Sequence, residues 1–424
     1  MLVAFSVKNY RNFKEEQTLS LRAKPSAKER LGWNAFQTRR RDISHVLKAA
    51  AIYGANASGK SNLIRALQVM RLCVLKNSTA LPPPFQLEPF AFDDASKQEE
   101  TSFSVQFIKE GIFYSYEFSV KNHQVLHEAL FLKNERKILL FERTKHDYNN
   151  TYDYKFGNSL QGQKKSWSSM TRPDALFLST ASAFNSSQLM PVVDWFLNNL
   201  LVINAFSRVN SLFTIRALEQ DQLDKQKVIR FLASADIGIK DIQIEKESRP
   251  GKSILMAPNG VEVKEEIQDF YNVSFIHHVN NKDWELSLAD ESEGTQRLVE
   301  LAGPILDVMT KEVTLIVDEL EASLHPILVE KLVQSFFEEF EQKDGAQLIF
   351  TTHCESLIDN NTTDPDNPLL RRDQIWFVNK NRDSKSTLYA LSDFTVRKNE
   401  NVRNAYLSGM FDGIPFIDSI SVKG

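Results

Sequence analysis

The sequence predicts an α/β fold in which a phosphate-binding loop lies on a mixed sheet with flanking helices, with an N-terminal antiparallel β lobe and a mostly helical insertion. Three observations support this prediction. Residues 49–67 read as a strand, a glycine loop and a helix, and residues 101–134 alternate apolar and polar side chains. Residues 312–326 and 347–358 each contain a short, nearly continuous apolar run. Such runs are typical of buried parallel strands.

The composition is that of an ordinary soluble protein. The chain has 424 residues, of which 42% are hydrophobic and 25% charged, and its net charge is −4. No apolar run approaches the ~20 residues that cross a bilayer, and the polar N-terminus is unlike a signal peptide. We therefore expect a cytoplasmic protein of two or three domains with no membrane partner. Cys73 and Cys354 are too few for a disulfide framework and are predicted to be small buried side chains.

The first elements are two predicted antiparallel strands in "LVAFSVKNYRNFKEEQTLSL", joined by a turn near "KNYRNF". The segment "GANASGKS" at 54–61 then matches the pattern G-x-x-x-x-G-K-[ST] between a strand and a helix. Glycines let successive backbone N–H groups point at phosphate oxygens, and the helix N-terminus adds its positive dipole. The pattern predicts that ATP and Mg²⁺ are the cofactors.

Each position of this loop has an expected role. Lys60 would reach the β- and γ-phosphates, and the Ser61 hydroxyl would join the Mg²⁺ ligands. The nucleotide-binding residues predicted here are Gly54, Asn56, Gly59, Lys60, Ser61 and Asn62.

The middle of the chain is predicted to be mostly helical, because "SSQLMPVVDWFLNNLLVINAF" and "TIRALEQDQLDKQKVIRFLASAD" space apolar residues as helices do. The strands "IKDIQIEKE", "VSFIHHV" and "WELSLAD" return the chain to a sheet. The predicted division is 1–144 for the N-terminal lobe with the glycine loop, 145–240 for the helical insertion, and 241–424 for a C-terminal lobe. Coiled-coil heptads are missing from the insertion.

Two further segments complete the predicted site. Val313–Val317 reads as a buried parallel strand, and Asp318 and Glu319 follow it, where open α/β sheets bind their ligands. Asp318 would hold Mg²⁺ and Glu319 would orient or deprotonate the attacking water, although the pair could also simply cap a helix. His353 follows the next apolar run and is either structural or a γ-phosphate contact.

A helix start at 292–296 is also a candidate. Ser292, Gly294, Thr295 and Gln296 precede or open an apolar-periodic helix. Serine and threonine at this position can be ordinary helix caps, and they can also form an anion site with the helix N-terminus.

The order of these motifs resembles the ABC-type ATPase heads of the SMC and RecF proteins, and "SVKNYRNF" resembles their opening strand. The segments "LADESEGTQRLVEL", "VDELEASLHP", "RRDQIWFV" and "RKNENVRNAYLSGMFDGIP" resemble the stand-alone AAA-type ATPases of the OLD-like group more closely. Members of that group occur in bacterial anti-phage systems such as PARIS and Rlo-type loci. The resemblance covers residues 1–135 and 270–424.

The resemblance implies an ABC-ATPase-type head that binds ATP between two copies. Each ATP would lie between the 54–61 loop of one protomer and the 292–296 segment of its partner, and Ala322–His325 would pass between the two sites. Lys60, Glu319 and His353 would be catalytic. Arg11 is assigned to the nucleotide by the same resemblance, and both Gln86 and Gln106 remain possible for the family's glutamine loop.

We expect an ATP-hydrolysing sensor or scaffold that assembles as a homo-oligomer. It would control a separately encoded toxin or nuclease. The resemblance alone implies that this control serves anti-phage defence by abortive infection. No intrinsic nuclease is expected, because Asp364 and Asp366 read as part of a turn. The alternative is a RecF-like clamp on duplex DNA, for which the basic segment "QTRRRD" at 37–42 could contact phosphates. A transporter subunit is a weaker third alternative.

Overall fold

The computed structural model describes residues 1–25, 27, 31–76, 87–133, 136–146, 151–203, 211–235, 238–257, 260–338, 345–358, 368–395 and 401–414, with side chains described outside 252–266. The strands in these ranges are β1 (Leu2–Lys8), β2 (Gln17–Ser20), β3 (Ala35–Gln37), β4 (His45–Leu47), β5 (Ala49–Tyr53), β6 (Thr101–Lys109), β7 (Ile112–Lys121), β8 (Gln124–Lys133), β9 (Lys137–Lys145), β10 (Tyr152–Phe156), β11 (Leu200–Ile203), β12 (Ile239–Ala257), β13 (Gly260–Val279), β14 (Lys282–Ser287), β15 (Thr314–Val317), β16 (Gln347–Thr351), β17 (Ile375–Lys380) and β18 (Ser386–Ala390).

The helices are α1 (Leu31–Asn34), α2 (Lys60–Leu75), α3 (Asp94–Lys97), α4 (Lys164–Met170), α5 (Phe177–Ala183), α6 (Met190–Asn198), α7 (Ser211–Glu219), α8 (Lys225–Ala233), α9 (Glu293–Thr310), α10 (Pro326–Ser335) and α11 (Val402–Leu407). Among the described helices, none has the length and apolar character that crossing a membrane requires.

The first sheet is seven-stranded and antiparallel, in the order β10-β9-β8-β7-β6-β1-β2. The predicted pairing of β1 with β2 is confirmed, with Phe5 opposite Leu19. Strands β6 and β7 are joined at Glu110 and Gly111, which both adopt positive φ. This tight turn follows from the Glu-Gly pair, because glycine adopts positive φ without steric cost.

The second sheet is mixed, in the order β11-β15-β16-β5-β17-β18. Its strands are parallel except β18, which is antiparallel to β17. Alternate residues of β5 contribute to two different hydrophobic cores, Ala50 and Ile52 to one and Ala51 and Tyr53 to the other. Both faces of the sheet are therefore covered, which explains the uninterrupted apolar strands. The predicted fold class is confirmed.

Strand β11 corrects one detail of the sequence prediction. The sequence predicts helix through residues 200–203, whereas the structure has a strand paired in parallel with β15, from Leu200 opposite Thr314 to Ile203 opposite Val317. A short apolar run fits a buried strand as well as a helix, so periodicity cannot separate the two. Residues 145–240 thus contain β10, β11 and the start of β12 besides helices α4–α8.

A long hairpin, which we call the arm, extends from the third sheet, β12-β13-β14. Its strands pair from Ile239 opposite His277 to Ala257 opposite Gly260. The base is anchored in the core, where Ile242 and Phe275 are buried. Residues 245–250 and 267–270 are exposed on the arm. Cross-strand pairing therefore holds the two strands of the arm together beyond its buried base.

The side chain of Gln347 joins the two large sheets. Its Oε1 accepts the Leu2 N–H at 2.6 Å and the Thr314 hydroxyl at 2.9 Å. Its Nε2 donates to the carbonyls of Leu2 at 3.0 Å and Leu47 at 2.9 Å. This buried amide satisfies all four of its hydrogen-bonding positions, and it fixes the start of β16 against β1.

Candidate functional site

Three neighbouring parallel strands carry the predicted site residues to one edge of the mixed sheet. The glycine loop follows β5, Asp318 and Glu319 follow β15, and His353 lies two residues beyond β16. Because β16 lies between β15 and β5 and all three run in the same direction, their carboxyl ends meet. A cavity of about 390 Å³ at this edge is lined by residues 55–62 together with Glu319 and His353.

The glycine loop requires its second glycine. Gly59 has φ of 117°, and a Cβ added there would lie 1.9 Å from Asn12 Nδ2. Asn12 Nδ2 donates to the Ser58 carbonyl at 2.9 Å, and Asn62 Nδ2 donates to Asn12 Oδ1 at 2.7 Å. The Ser386 hydroxyl also donates to the Ser58 carbonyl, at 2.5 Å. Asn12 and Ser386 therefore hold the glycine loop through hydrogen bonds to the Ser58 carbonyl.

Lys60 is buried, at 7% exposure, and lies across the loop. Its Nζ donates to the carbonyls of Gly54 at 2.7 Å and Ala55 at 3.2 Å, and it lies 3.0 Å from His353 Nε2. Burial lowers the pKa of Lys60, and the nearby carboxylates, led by Glu321, oppose this shift. These contacts satisfy the ammonium group from within the chain.

The contact with Lys60 defines the state of His353. An ammonium group can only donate, so His353 Nε2 accepts and the imidazole is neutral. Partial burial and the Lys60 charge both lower the pKa of His353, which favours the neutral form. The His353 backbone N–H donates to Glu321 Oε1 at 2.5 Å. The loop after β15 thus holds the loop after β16.

Oxygen ligands suited to Mg²⁺ meet beside the glycine loop. The Ser61 hydroxyl donates to Asp318 Oδ1 at 3.1 Å, close to the ~3 Å that separates neighbouring ligands around octahedral Mg²⁺. Asp318 is buried at the end of β15, and its Oδ1 also accepts the Thr351 hydroxyl at 2.6 Å. A carboxylate and a hydroxyl are hard ligands of the kind that Mg²⁺ prefers, so these residues fit the ion.

Glu319 lies at the cavity with an unusual backbone. Its φ is 52°, in the left-handed region that side chains other than glycine rarely adopt. Its N–H donates to Thr351 Oγ1 at 2.7 Å, and its carbonyl accepts from Arg297 Nη2 at 3.4 Å. The peptide groups on both sides of Glu319 are therefore held, and the residue lines the cavity.

The 292–296 segment lies elsewhere. Ser292 caps α9, its Oγ accepting the Thr295 N–H at 3.1 Å, and Gln296 Nε2 donates to the Glu291 carbonyl at 2.9 Å. A Cβ added at Gly294 would lie 3.0 Å from the Ser323 carbonyl, so this helix start contacts the 322–325 loop. None of these residues lines the cavity of the same chain.

Arg11 and Gln106 also fall outside the cavity lining. Arg11 Nη2 forms an ion pair with Glu88 Oε1 at 2.8 Å, and its Nη1 donates to Asn62 Oδ1 at 3.3 Å. Gln106 lies on β6, where its Oε1 accepts from Arg22 Nη2 at 2.7 Å, and its assignment to the glutamine loop stays a prediction. Gln86, like Asp364 and Asp366, lies outside the described residues.

Sequence reasoning missed several supporting residues: Asn12, Arg297, Glu321, Thr351 and Ser386. Two of them had a signal in the sequence. Thr351 belongs to the "TTH" that ends β16, and Glu321 follows Asp318 and Glu319 in "VDELEASLHP". Asn12 and Ser386 are brought to the loop by long-range contacts that no local pattern reveals.

The fold and the site together define an ATPase head of the ABC/AAA type, in which a phosphate loop, a carboxylate strand and a histidine strand meet at one sheet edge. A comparison with protein families agrees. Residues 49–359 match the family described as "AAA domain, putative AbiEii toxin, Type IV TA system". The match spans most of the chain, and the protein belongs to this family of nucleotide-binding ATPases.

Solved structures that are similar to this chain include the head domains of SMC proteins. The SMC head bound to the C-winged helix domain of ScpA has 13% identity and a TM-score of 0.45, covering 92% of this chain and 97% of the other. The SMC head domain from Thermotoga maritima has 12% identity and a TM-score of 0.39, covering 93% and 99%. The SMC head with an extended coiled coil, bound to the C-terminal domain of ScpA from Pyrococcus furiosus, has 11% identity and a TM-score of 0.40, covering 96% and 98%. No curated protein matches.

Proposed function

We propose that this protein hydrolyses ATP at the cavity between the 54–61 loop and Glu319, with Mg²⁺ held by Ser61 and Asp318. The observation that carries the proposal is the convergence of Lys60, Asp318, Glu319 and His353 at the carboxyl ends of adjacent strands. Phosphoryl transfer asks mainly for positioning and for stabilisation of charge, and these residues supply both.

Each residue has a defined part in this proposal. The loop N–H groups and Lys60 bind the phosphates, which requires Lys60 to leave the carbonyls of Gly54 and Ala55. When bound, Mg²⁺ neutralises charge on the phosphate oxygens. Glu319 orients a water and accepts its proton at the carboxylate. His353, released from Lys60, has a free Nε2 with which to contact the γ-phosphate region.

We further propose that ATP joins two copies of the chain. The support is the position of Ser292–Gln296, which has helix-terminal N–H groups but does not line the cavity of its own chain. A helix N-terminus attracts anions, so a second protomer could complete the site by bringing this segment to the γ-phosphate. Hydrolysis would then release the dimer.

The Glu319→Gln variant tests both proposals. It should bind ATP, hydrolyse it at least about 100-fold more slowly than wild type, and double in mass by light scattering when ATP is added. Lys60→Ala, which lacks the phosphate ligand, should remain at its nucleotide-free mass. An unchanged mass of Glu319→Gln with bound ATP would reject the dimer while retaining the nucleotide site. Wild-type turnover in Lys60→Ala would reject the site itself.

We propose that the ATPase cycle controls a separately encoded toxin or nuclease in anti-phage defence, as in the OLD-like group that the sequence resembles. The family description, which names a toxin–antitoxin system, supports this role. The arm is the contact element that we propose for this partner, because it presents Ile267 and Phe270 to solvent on its opposite faces, at 79% and 49% exposure.

Co-purification tests the scaffold role. Tagged Glu319→Gln protein, expressed with its native neighbouring genes and held in ATP, should retain a stoichiometric second protein that Lys60→Ala loses. Purified alone, the chain should not cut DNA or RNA with Mg²⁺ or Mn²⁺. Cleavage that a point substitution in this chain abolishes would contradict the separate-effector proposal.

Duplex DNA is a second candidate ligand, favoured by one observation. Arg22, Lys133 and Lys137 line a shallow cavity of about 230 Å³ on the antiparallel sheet. Asp42 lines the same cavity, and the exposed residues Arg39 and Arg41 are near it in the sequence. Binding to this surface should weaken steeply with salt. DNA affinity that is unchanged in a Lys133→Ala, Lys137→Ala double variant would reject the surface.

A further inference from the structure

We propose that Thr351 is a positioning residue that holds the metal carboxylate Asp318 and the backbone of Glu319 as one unit. The inference rests on the proposed ATP hydrolysis and deepens it. Thr351 ends β16 and is fully buried, so its side chain touches neither solvent nor the cavity surface directly.

The direction of the hydrogen bonds around Thr351 is fixed by chemistry. Its Oγ1 lies 2.6 Å from Asp318 Oδ1 and 2.7 Å from the Glu319 backbone nitrogen. An ionised carboxylate only accepts and an amide N–H only donates, so the hydroxyl proton points at Asp318 and an oxygen lone pair receives the Glu319 N–H. The hydroxyl group thereby connects the two carboxylate-bearing residues.

The main chain of Thr351 adds a third contact. Its carbonyl accepts the Leu320 N–H at 3.1 Å, so one residue binds two successive N–H groups of the segment after β15. Glu319 between them has φ of 52°, a conformation that persists only where its surroundings enforce it. Thr351 supplies that restraint on the amide side, and Arg297 supplies one on the carbonyl side.

The consequence concerns the metal. Asp318 Oδ1 is the same atom that meets the Ser61 hydroxyl, so the bond from Thr351 fixes the oxygen that would face Mg²⁺. Residues that orient metal ligands typically change metal affinity 10- to 100-fold when they are lost. Loss of the Thr351 hydroxyl should therefore weaken metal binding as well as slow turnover.

Thr351→Val removes the hydroxyl at nearly constant volume, and Thr351→Ser retains it. Thr352→Val is a matched control, because Thr352 is equally buried and its Oγ1 accepts from the Cys354 N–H at 2.9 Å, away from the carboxylates. All three variants would be titrated with Mn²⁺ in the presence of saturating ADP, with protein-bound Mn²⁺ measured by electron paramagnetic resonance.

We expect Thr351→Val to raise the half-saturating Mn²⁺ concentration about tenfold, and to lower kcat for ATP with little change in KM. Thr351→Ser and Thr352→Val should stay within about twofold of wild type. If Thr351→Val does not fold, Thr351→Ala takes its place with the same expectation. Equal Mn²⁺ binding in Thr351→Val and Thr352→Val overturns the inference. Failure of the wild-type protein to bind Mn²⁺ with ADP would instead reject the proposed function.

Discussion

At the scale of single residues, neighbouring side chains and backbone atoms of the site contact one another closely. The Gly59 backbone passes so close to Asn12 that the loop and its support form one unit. Lys60 contacts His353 directly, so the cation that should bind phosphate also determines the state of the imidazole. Changes of one atom or one charge at these positions should therefore have measurable effects.

Gly59→Ala should damage the loop by two routes. Alanine is strained at φ of 117°, and its Cβ would displace the Asn12 amide from the Ser58 carbonyl. We expect a loss of about 1–3 kcal/mol in the free energy of unfolding and a loss of ATP binding. Gly32→Ala is the control, because its Cβ meets no atom within 4 Å. Its stability should be unchanged or slightly higher. Urea unfolding of both variants measures the difference, and equal losses would contradict the prediction.

The pH dependence of stability should carry the signature of His353. The pKa of His353 is lowered in the folded state. As the pH falls below about 6.5, His353 therefore binds a proton in the unfolded chain before it does so in the folded protein. The free energy of unfolding should therefore decrease from that pH downwards, until His353 also protonates in the folded state. In His353→Gln this component should be absent. Thermal unfolding between pH 5 and 8 compares the two proteins, and parallel curves would disprove the contribution.

At the scale of strands and helices, Gln347 connects the site to the rest of the fold. It lies at the start of β16, and Thr351 lies at the end of the same strand. Gln347→Leu would leave the Leu2 N–H and the carbonyls of Leu2 and Leu47 without their buried partner. We expect a loss on the order of 3 kcal/mol in urea unfolding. Gln226→Leu on α8, where the residue is exposed, should change stability by less than about 0.5 kcal/mol. Similar losses of unfolding free energy in both variants would show that Gln347 does not connect the two sheets.

The same elements show how far the sequence could predict the structure. The glycine loop, the alternating strands and the apolar runs are local patterns, and they correctly predict β5, β6, β7, β15 and β16. The partners of Asp318 depend on strand order, which places β16 between β15 and β5. No local pattern encodes that order. The run at 200–203 was ambiguous because its apolar residues satisfy a buried edge strand equally well.

At the scale of the whole molecule, the arm can be separated from the ATPase site. Glu247 and Phe270 are directly opposite each other in the hairpin, so residues 248–269 can be replaced by Asn-Gly as a two-residue turn. We expect unchanged ATP turnover and unfolding, because the anchoring residues Ile242 and Phe275 remain. Capture of the partner protein should be lost.

A second variant separates the length of the arm from its chemistry. Ile267→Ser with Phe270→Ser keeps every backbone pair and removes two exposed apolar side chains. Loss of capture in both variants would assign the contact to these side chains. Retention of the partner by the shortened protein would place the contact elsewhere, and loss of ATP turnover would show that the arm is part of the ATPase.

The dimensions of the arm give it a mechanical meaning. Its pairing runs from Ile239 to Ala257, and at ~3.3 Å per residue this corresponds to a length of about 60 Å. Its base is packed in the same core as Leu298 and Leu301 of α9, the helix that Ser292 caps. A tilt of about 5° at the base would sweep the far end through roughly 5 Å over that length. If α9 shifts when two protomers close on ATP, as we propose, the hairpin would act as a lever that converts a small shift at its base into a larger displacement at its far end.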